Sequence, residues 1–216
     1  MMLTLYYHPL SSFCWKALIA LYECEADFTP RLVNLGDPED AAAFRAIWPF
    51  GKFPVLQDGE TIVPESTTII EYLAVQHPGP STLIPRDPDI ARQVRFIDRV
   101  IDMHVHIPMQ KFTIDVMRPE GFKDPMGVDH ARATLRTAYA WLETQVGAWA
   151  VGDAFTMADC AALPALYYAN IAEPIGDHPK LIAYLERLKA RPTISRVLRE
   201  AEPYFHMLPV KPRSAA

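Results

Sequence analysis

The chain has 216 residues, half of them apolar and 22% charged, enough for a sizeable core in one large domain or two small ones and against disorder. Its net charge is −5 with no basic stripe, which sets duplex nucleic acid aside as a partner. Three scattered cysteines, Cys14, Cys24 and Cys160, are too few for a disulfide framework. No apolar run approaches the ~18 residues of a membrane span. The first residues, Met-Met-Leu-Thr-Leu-Tyr-Tyr, lack the basic region and small-residue cleavage site of a secretion signal. A cytoplasmic protein without membrane contact is expected.

Leu3-Thr4-Leu5-Tyr6-Tyr7 is a short β-prone run. Residues 12–24 place Phe13, Ala17, Leu18, Leu21 and Tyr22 on one helical face. The turn before that helix has the spacing of a Cys-x-x-Cys redox motif, with Ser11 at the first position and Cys14 at the second. Arg31-Leu32-Val33-Asn34 reads as a second strand. Asp37-Pro38-Glu39-Asp40 opens a helix, with proline suited to the first turn and acids to the N-terminus. Residues 54–63 form a hairpin around Asp58-Gly59. Ser66 begins a helix running to about Gln76. The order is βαβ, α, ββα, which predicts a partly parallel sheet with a right-handed crossover.

Residues 77–88 contain four prolines and a glycine and read as a linker. From Ile90 onward the spacing is helical. Val94, Ile97, Ile101, Val105 and Pro108 follow it, as do Leu135, Ala138, Tyr139 and Leu142, and then Leu181, Leu185 and Leu188. A bundle of about five helices is predicted. The expected domains are residues 1–78 and 90–216, joined by a linker at 79–89. The Pro/Arg/Ser/Ala tail after Tyr204 is expected loose or at the surface.

Four stretches in this order carry a family resemblance. Ser11-Ser12-Phe13-Cys14-Trp15-Lys16-Ala17-Leu18-Ile19-Ala20-Leu21 is similar to the Ser-Ser-Cys-x-Trp-Arg-Val-Arg-Ile-Ala-Leu run of zeta-class glutathione transferases. Gly51-Lys52-Phe53-Pro54-Val55-Leu56 is similar to that family's Gly-Lys-Val-Pro-x-Leu segment. Glu65-Ser66 matches its Glu/Gln-Ser pair, and Phe155-Thr156-Met157-Ala158-Asp159 its Phe-(Ser/Thr)-x-Ala-Asp box. The chain therefore resembles the cytosolic glutathione transferases of serine type, zeta- or tau-like. The resemblance implies a thioredoxin-like first domain, an all-helical second domain and a homodimer. Two departures stand out. Trp48-Pro49 replaces the family's Asn-Pro, and Phe13 occupies the zeta cysteine position with Cys14 one place later. The second argues against assuming the isomerase activity of the zeta class.

The resemblance implies that the Phe53-Pro54 bond is cis and that Phe53 pairs its backbone with the cysteinyl unit of glutathione as an added strand. The alternative is an ordinary trans proline at a strand edge. Ser66 would hold the γ-glutamyl carboxylate at a helix N-terminus and Glu65 the ammonium. A plain N-cap by Ser66 is compatible with that role, and Ile69 rules out a capping box. Lys52 would meet the glycyl carboxylate or stand solvated. Glutathione, as cosubstrate, carries a thiol with a pKa near 8.5. Lowering it by two units takes about 2.7 kcal/mol. One hydrogen bond to a charged group supplies roughly 1.5–3 kcal/mol, and a helix N-terminus about 0.3–1. Ser11 is assigned that hydrogen bond, with Ser12 as main rival and N-capping as the bland alternative. Tyr7, at the end of the first strand, is a lesser rival.

Cys14 is expected to be buried and structural. Met103-His104-Val105-His106 lacks the i, i+4 histidine spacing of zinc helices, so no metal is expected. Leu10, His106 and Phe112 are candidates for the pocket of a hydrophobic electrophile. Thr156 and Asp159 read as a structural capping box, so changing Asp159 should impair folding. The leading expectation is a glutathione transferase acting on an apolar electrophile. The alternatives are a glutathione-dependent disulfide or peroxide reductase or isomerase, and a non-enzymatic binding protein.

Overall fold

The structure, a computed structural model, describes residues 3–210. Four strands form one sheet in the order β2-β1-β3-β4. They are β1 (Leu3–Tyr7), β2 (Phe28–Leu32), β3 (Val55–Asp58) and β4 (Thr61–Pro64). β1 and β2 run parallel across the crossover helix α1 (Ser12–Glu23), and β3 and β4 are antiparallel around Asp58-Gly59, with Gly59 at φ 58°. α2 (Pro38–Ile47) and α3 (Ser66–Gln76) complete this half.

The second strand lies earlier than the predicted 31–34. It is an edge strand with little burial, so no apolar alternation marks it, and the edge tolerates Pro30. Val33 has left the strand, although its N–H still donates to Tyr7 C=O at 2.9 Å.

Beyond residues 77–87 the described chain is helical. It contains α4 (Pro88–Ile101), α5 (Ile107–Met117), α6 (Pro125–Gln145), α7 (Met157–Ala172), α8 (Pro179–Ala190) and α9 (Pro192–Ala201). That is six α-helices rather than about five. A π turn over Asp102–His106 joins α4 to α5, and a 3₁₀ turn over Glu202–Met207 follows α9. Among the described residues no helix is long and apolar enough to cross a membrane. Gly79 lies so close to the end of α1 that a Cβ there would sit 2.2 Å from the carbonyl oxygen of Cys24.

A continuous core runs through both halves, from Leu3 and Leu5 of β1 through Trp15 and Leu18 of α1 to Leu163 and Leu166 of α7. A smaller cluster of Val33, Phe44 and Val55 lies under α2. α7 is anchored by Asp159, which accepts from Thr156 N–H at 2.8 Å, Ala150 N–H at 2.9 Å and the Tyr184 hydroxyl at 2.6 Å. This agrees with the structural reading of the Thr156–Asp159 pair.

The halves are also pinned by a buried ion cluster. Lys16 of α1 is fully buried. Its Nζ lies 2.7 Å from Asp98 Oδ1 of α4 and 2.8 Å from Asp102 Oδ2, and donates to Thr67 Oγ1 of α3 at 2.8 Å. Burial raises the pKa of Asp98. Asp102 is held low against its own burial by His106 and Lys16. Removing one partner from such a cluster strands the others without water. Lys16→Met should therefore cost about 3–5 kcal/mol in urea denaturation, and a loss under 1 kcal/mol would show that the cluster is well hydrated.

Candidate active site

A cavity of about 520 Å³ opens where β1, α1 and the Phe53 loop meet α5, α7 and the segment after the 3₁₀ turn. His8, Leu10, Ser11, Ser12 and Phe53 form one side. Met109, Gln110, Thr113 and Met117 of α5, with Tyr168 and Ile171 of α7, form the other. Val33–Gly36 and Met207–Val210 complete it, and none of the described lining residues is charged.

Ser11 is the N-cap of α1. Its Oγ accepts from Cys14 N–H at 3.2 Å and its own N–H donates to His8 C=O at 3.0 Å. The cap uses a lone pair of the hydroxyl, and the O–H also faces the Cys14 thiol, with the cavity as the other direction open to its rotation. Ser12, the first helical residue, is buried and touches the same cavity.

Cys14 is fully buried and receives His8 N–H at 3.5 Å. Burial pushes its thiol up to about 12, despite the hydrogen bonds from Ser11 and His8. Tyr7 lies elsewhere, in a second hollow with Tyr22, Arg196 and Tyr204.

The Phe53-Pro54 bond is cis. Among the described residues, neither N–H nor C=O of Phe53 makes a backbone hydrogen bond outside the ladders, and Phe53 precedes β3. Phe53 also stacks on His8, with ring centroids 5.8 Å apart.

Ser66 is not the N-cap of α3, as the sequence suggested, but its first residue. Glu65 holds the cap position at φ 68° and offers no side-chain bond to the helix, so first-turn N–H groups stay open. A non-glycine residue in this left-handed region stores strain of the kind found at ligand sites. Glu65 is exposed, Ser66 buried and Lys52 exposed. These three and Pro54 do not line the cavity itself.

Leu10 lines the cavity, and its C=O accepts from the Tyr168 hydroxyl at 3.0 Å. His106 and Phe112 do not line it. Both are buried, His106 against the ring of Phe13 at 4.2 Å and Phe112 under the Arg132 guanidinium at 5.3 Å. The π turn adds a residue to one helical turn and rotates α5 relative to α4, so spacing extrapolated from α4 selects the wrong face. Met207–Val210, expected from sequence to be loose or at the surface, form part of the wall. The rest of that tail, residues 211–216, lies outside the described residues. His8 was missed altogether, since one histidine beyond a strand gives no signal by spacing.

Residues 5–81 match the model of the glutathione S-transferase N-terminal domain, and residues 125–187 that of the C-terminal domain. A probable maleylacetoacetate isomerase 2 of Drosophila melanogaster is 30% identical over 170 residues, covering 77% of this chain and 74% of the relative. The chain belongs to the glutathione S-transferase family. Glutathione S-transferase F13 of Arabidopsis thaliana is 28% identical, covering 91% of this chain and 95% of the relative. Among solved structures, a glutathione S-transferase of Methylobacterium radiotolerans in complex with glutathione sulfonate superimposes with a TM-score of 0.80 at 27% identity. That match covers 91% of this chain and 94% of the other.

All three cysteines of the chain are free and buried. With its thiol pushed up to about 12, Cys14 holds negligible thiolate near neutral pH. Iodoacetamide should leave Cys14 unmodified in the native protein and alkylate it in urea, as read by peptide mass spectrometry. Rapid native labelling of Cys14 would contradict its structural role.

Proposed function

We propose that the protein is a glutathione transferase. It binds glutathione beside the cis Phe53-Pro54 turn, keeps the thiol ionised with a hydroxyl at the N-terminus of α1, and joins the sulfur to an uncharged, apolar electrophile. The observation that carries this reading is Ser11, half-buried in the cavity wall at the N-cap of α1, whose hydroxyl proton can turn from the Cys14 thiol to a bound sulfur. The free backbone groups of Phe53 suit the cysteinyl unit as an added strand. The open N-terminus of α3 suits the γ-glutamyl carboxylate, with Glu65 for the ammonium. Lys52, exposed just before Phe53, is available to the glycyl carboxylate.

The sulfur chemistry needs no proton acceptor on the protein. The thiol loses its proton to solvent on binding, and the Ser11 O–H then donates to the anion. Ser12, being buried, is the less suited of the two serines. Assembly as a homodimer belongs to the same proposal.

A second reading is glutathione-dependent isomerisation, favoured by the relatives named maleylacetoacetate isomerases. Maleylacetoacetate is a dicarboxylate, and a wall whose described residues carry no charge offers it no cationic partner. Reduction by a protein thiol has little support, because the Cys14 thiol is buried and held protonated.

The test is calorimetry with glutathione, followed by conjugation assays over pH on the wild type and on Ser11→Ala and Ser12→Ala. Losing a charge-assisted hydrogen bond of about 1.5–3 kcal/mol should raise the bound thiol's pKa by roughly one to two units. In Ser11→Ala the rate at neutral pH should then fall roughly 10- to 100-fold, with recovery at alkaline pH. Absence of glutathione binding would remove the proposal, and a full rate in Ser11→Ala would move the role to Ser12.

A further inference from the structure

We propose that His8 is a catalytic hydrogen-bond donor whose Nε2–H meets the carbonyl oxygen of an uncharged α,β-unsaturated carbonyl compound in the cavity and steadies the enolate formed as sulfur adds to it. The inference deepens the transferase reading and rests on it for the source of the sulfur.

His8 directly follows β1, at the mouth of α1. Its C=O accepts from Ser11 N–H at 3.0 Å and its N–H donates to Cys14 Sγ at 3.5 Å, so its backbone is tied to the same helical turn as the activating serine. Its Nδ1 accepts from Leu10 N–H at 3.2 Å. A ring nitrogen that accepts carries no proton, so the neutral imidazole is the Nε2–H tautomer. Burial lowers the pKa of His8, which keeps the ring neutral near pH 7.

No hydrogen bond to Nε2 is formed by the described residues, and the ring both lines the cavity and stacks on Phe53. The donor is therefore held in place and without a protein acceptor. The other titratable side chain in the described wall, Tyr168, already gives its hydroxyl to Leu10 C=O. Gln110 and Thr113 lie on α5, across the cavity from Ser11.

An unsaturated carbonyl uses this layout. Sulfur donates an electron pair to the β-carbon and the C–S bond forms. The π pair of the C=C bond forms a new double bond between the α-carbon and the carbonyl carbon, and the C=O π pair moves onto oxygen, giving an enolate. Nε2–H donates a hydrogen bond to that oxygen and keeps its proton. Water then supplies the proton to the α-carbon. A fixed donor aimed where charge develops is worth far more than one supplied by solvent.

Two electrophiles separate the roles: 4-phenyl-3-buten-2-one, whose oxygen becomes anionic, and iodomethane, which has no acceptor oxygen. Asparagine at position 8 can keep an acceptor near Nδ1 and loses the remote donor. Glutamine places an amide N–H near Nε2. In H8N, kcat/KM for the enone should fall roughly 100-fold, with the loss in kcat, while iodomethane changes less than about 3-fold. H8Q should recover most of the enone rate. Equal losses on both electrophiles in H8N, or an unchanged enone rate, would overturn the role of His8. A wild-type enzyme that conjugates neither electrophile would instead overturn the transferase reading beneath it.

Discussion

The buried Lys16 ammonium fixes where the first turn of α1 points, and the candidate site depends on that direction. Lys16 lies five residues after Ser11. Its partners belong to α3, α4 and the π turn, so one cation joins the sheet half to the helical half. Trp15, the preceding residue of α1, packs on Tyr167 and Tyr168 of α7 with ring centroids 5.3 and 4.9 Å away. Its Nε1–H donates to Pro9 C=O at 2.6 Å, which holds the turn carrying His8 and Leu10 against the helix. The mouth of α1 is thereby built from buried contacts and does not depend on loop stiffness. The hydroxyl proposed to meet a sulfur within hydrogen-bond range would need that support.

Helix N-termini in this chain divide by how they are closed. Asp37 caps α2 and Asp87 caps α4, each through two backbone N–H groups, and Asp124 caps α6. Glu143 closes α8 from a distance by accepting from Lys180 and Leu181 N–H. Ser11 closes one N–H of α1 with a hydroxyl in place of a carboxylate, whereas α3 and α9 begin with no side-chain cap. A helix end left open in a folded chain has unsatisfied donors and a positive field, which suits an anion. On the proposed reading, the open end of α3, the hydroxyl at α1 and the free backbone groups of Phe53 together receive an anionic peptide.

Much of this was legible because it is local. The Asp58-Gly59 hairpin, the acidic caps and the Thr156–Asp159 pair each fit within a few residues. So does the serine that caps α1. The features that escaped are tertiary or turn on one residue of register. β2 is an exposed edge held by pairing to β1, so its side chains carry no pattern. His106 and Phe112 were candidates for the pocket wall, but the π turn decides which way that stretch of helix looks. Met207–Val210 has no periodic signal, and only the path of the chain past α9 brings it to the cavity.

The two sides of the cavity are made by different means, and this bears on how its chemistry can vary. The side around His8, Ser11 and Phe53 is defined by backbone: a cap and a turn held by bonds from main-chain N–H groups, and the cis peptide that leads into β3. The facing side is defined by side chains of α5, α7 and the final segment, where Met109, Met117 and Met207 supply flexible, polarisable surface. Replacing one of those side chains changes the shape offered to an electrophile and leaves the main-chain bonds alone. Replacing Pro9 or Trp15 would disturb the turn that carries His8 and Leu10 instead. In the proposed transferase, substrate preference would therefore drift over the second wall while the means of holding and ionising the thiol stayed fixed in the first.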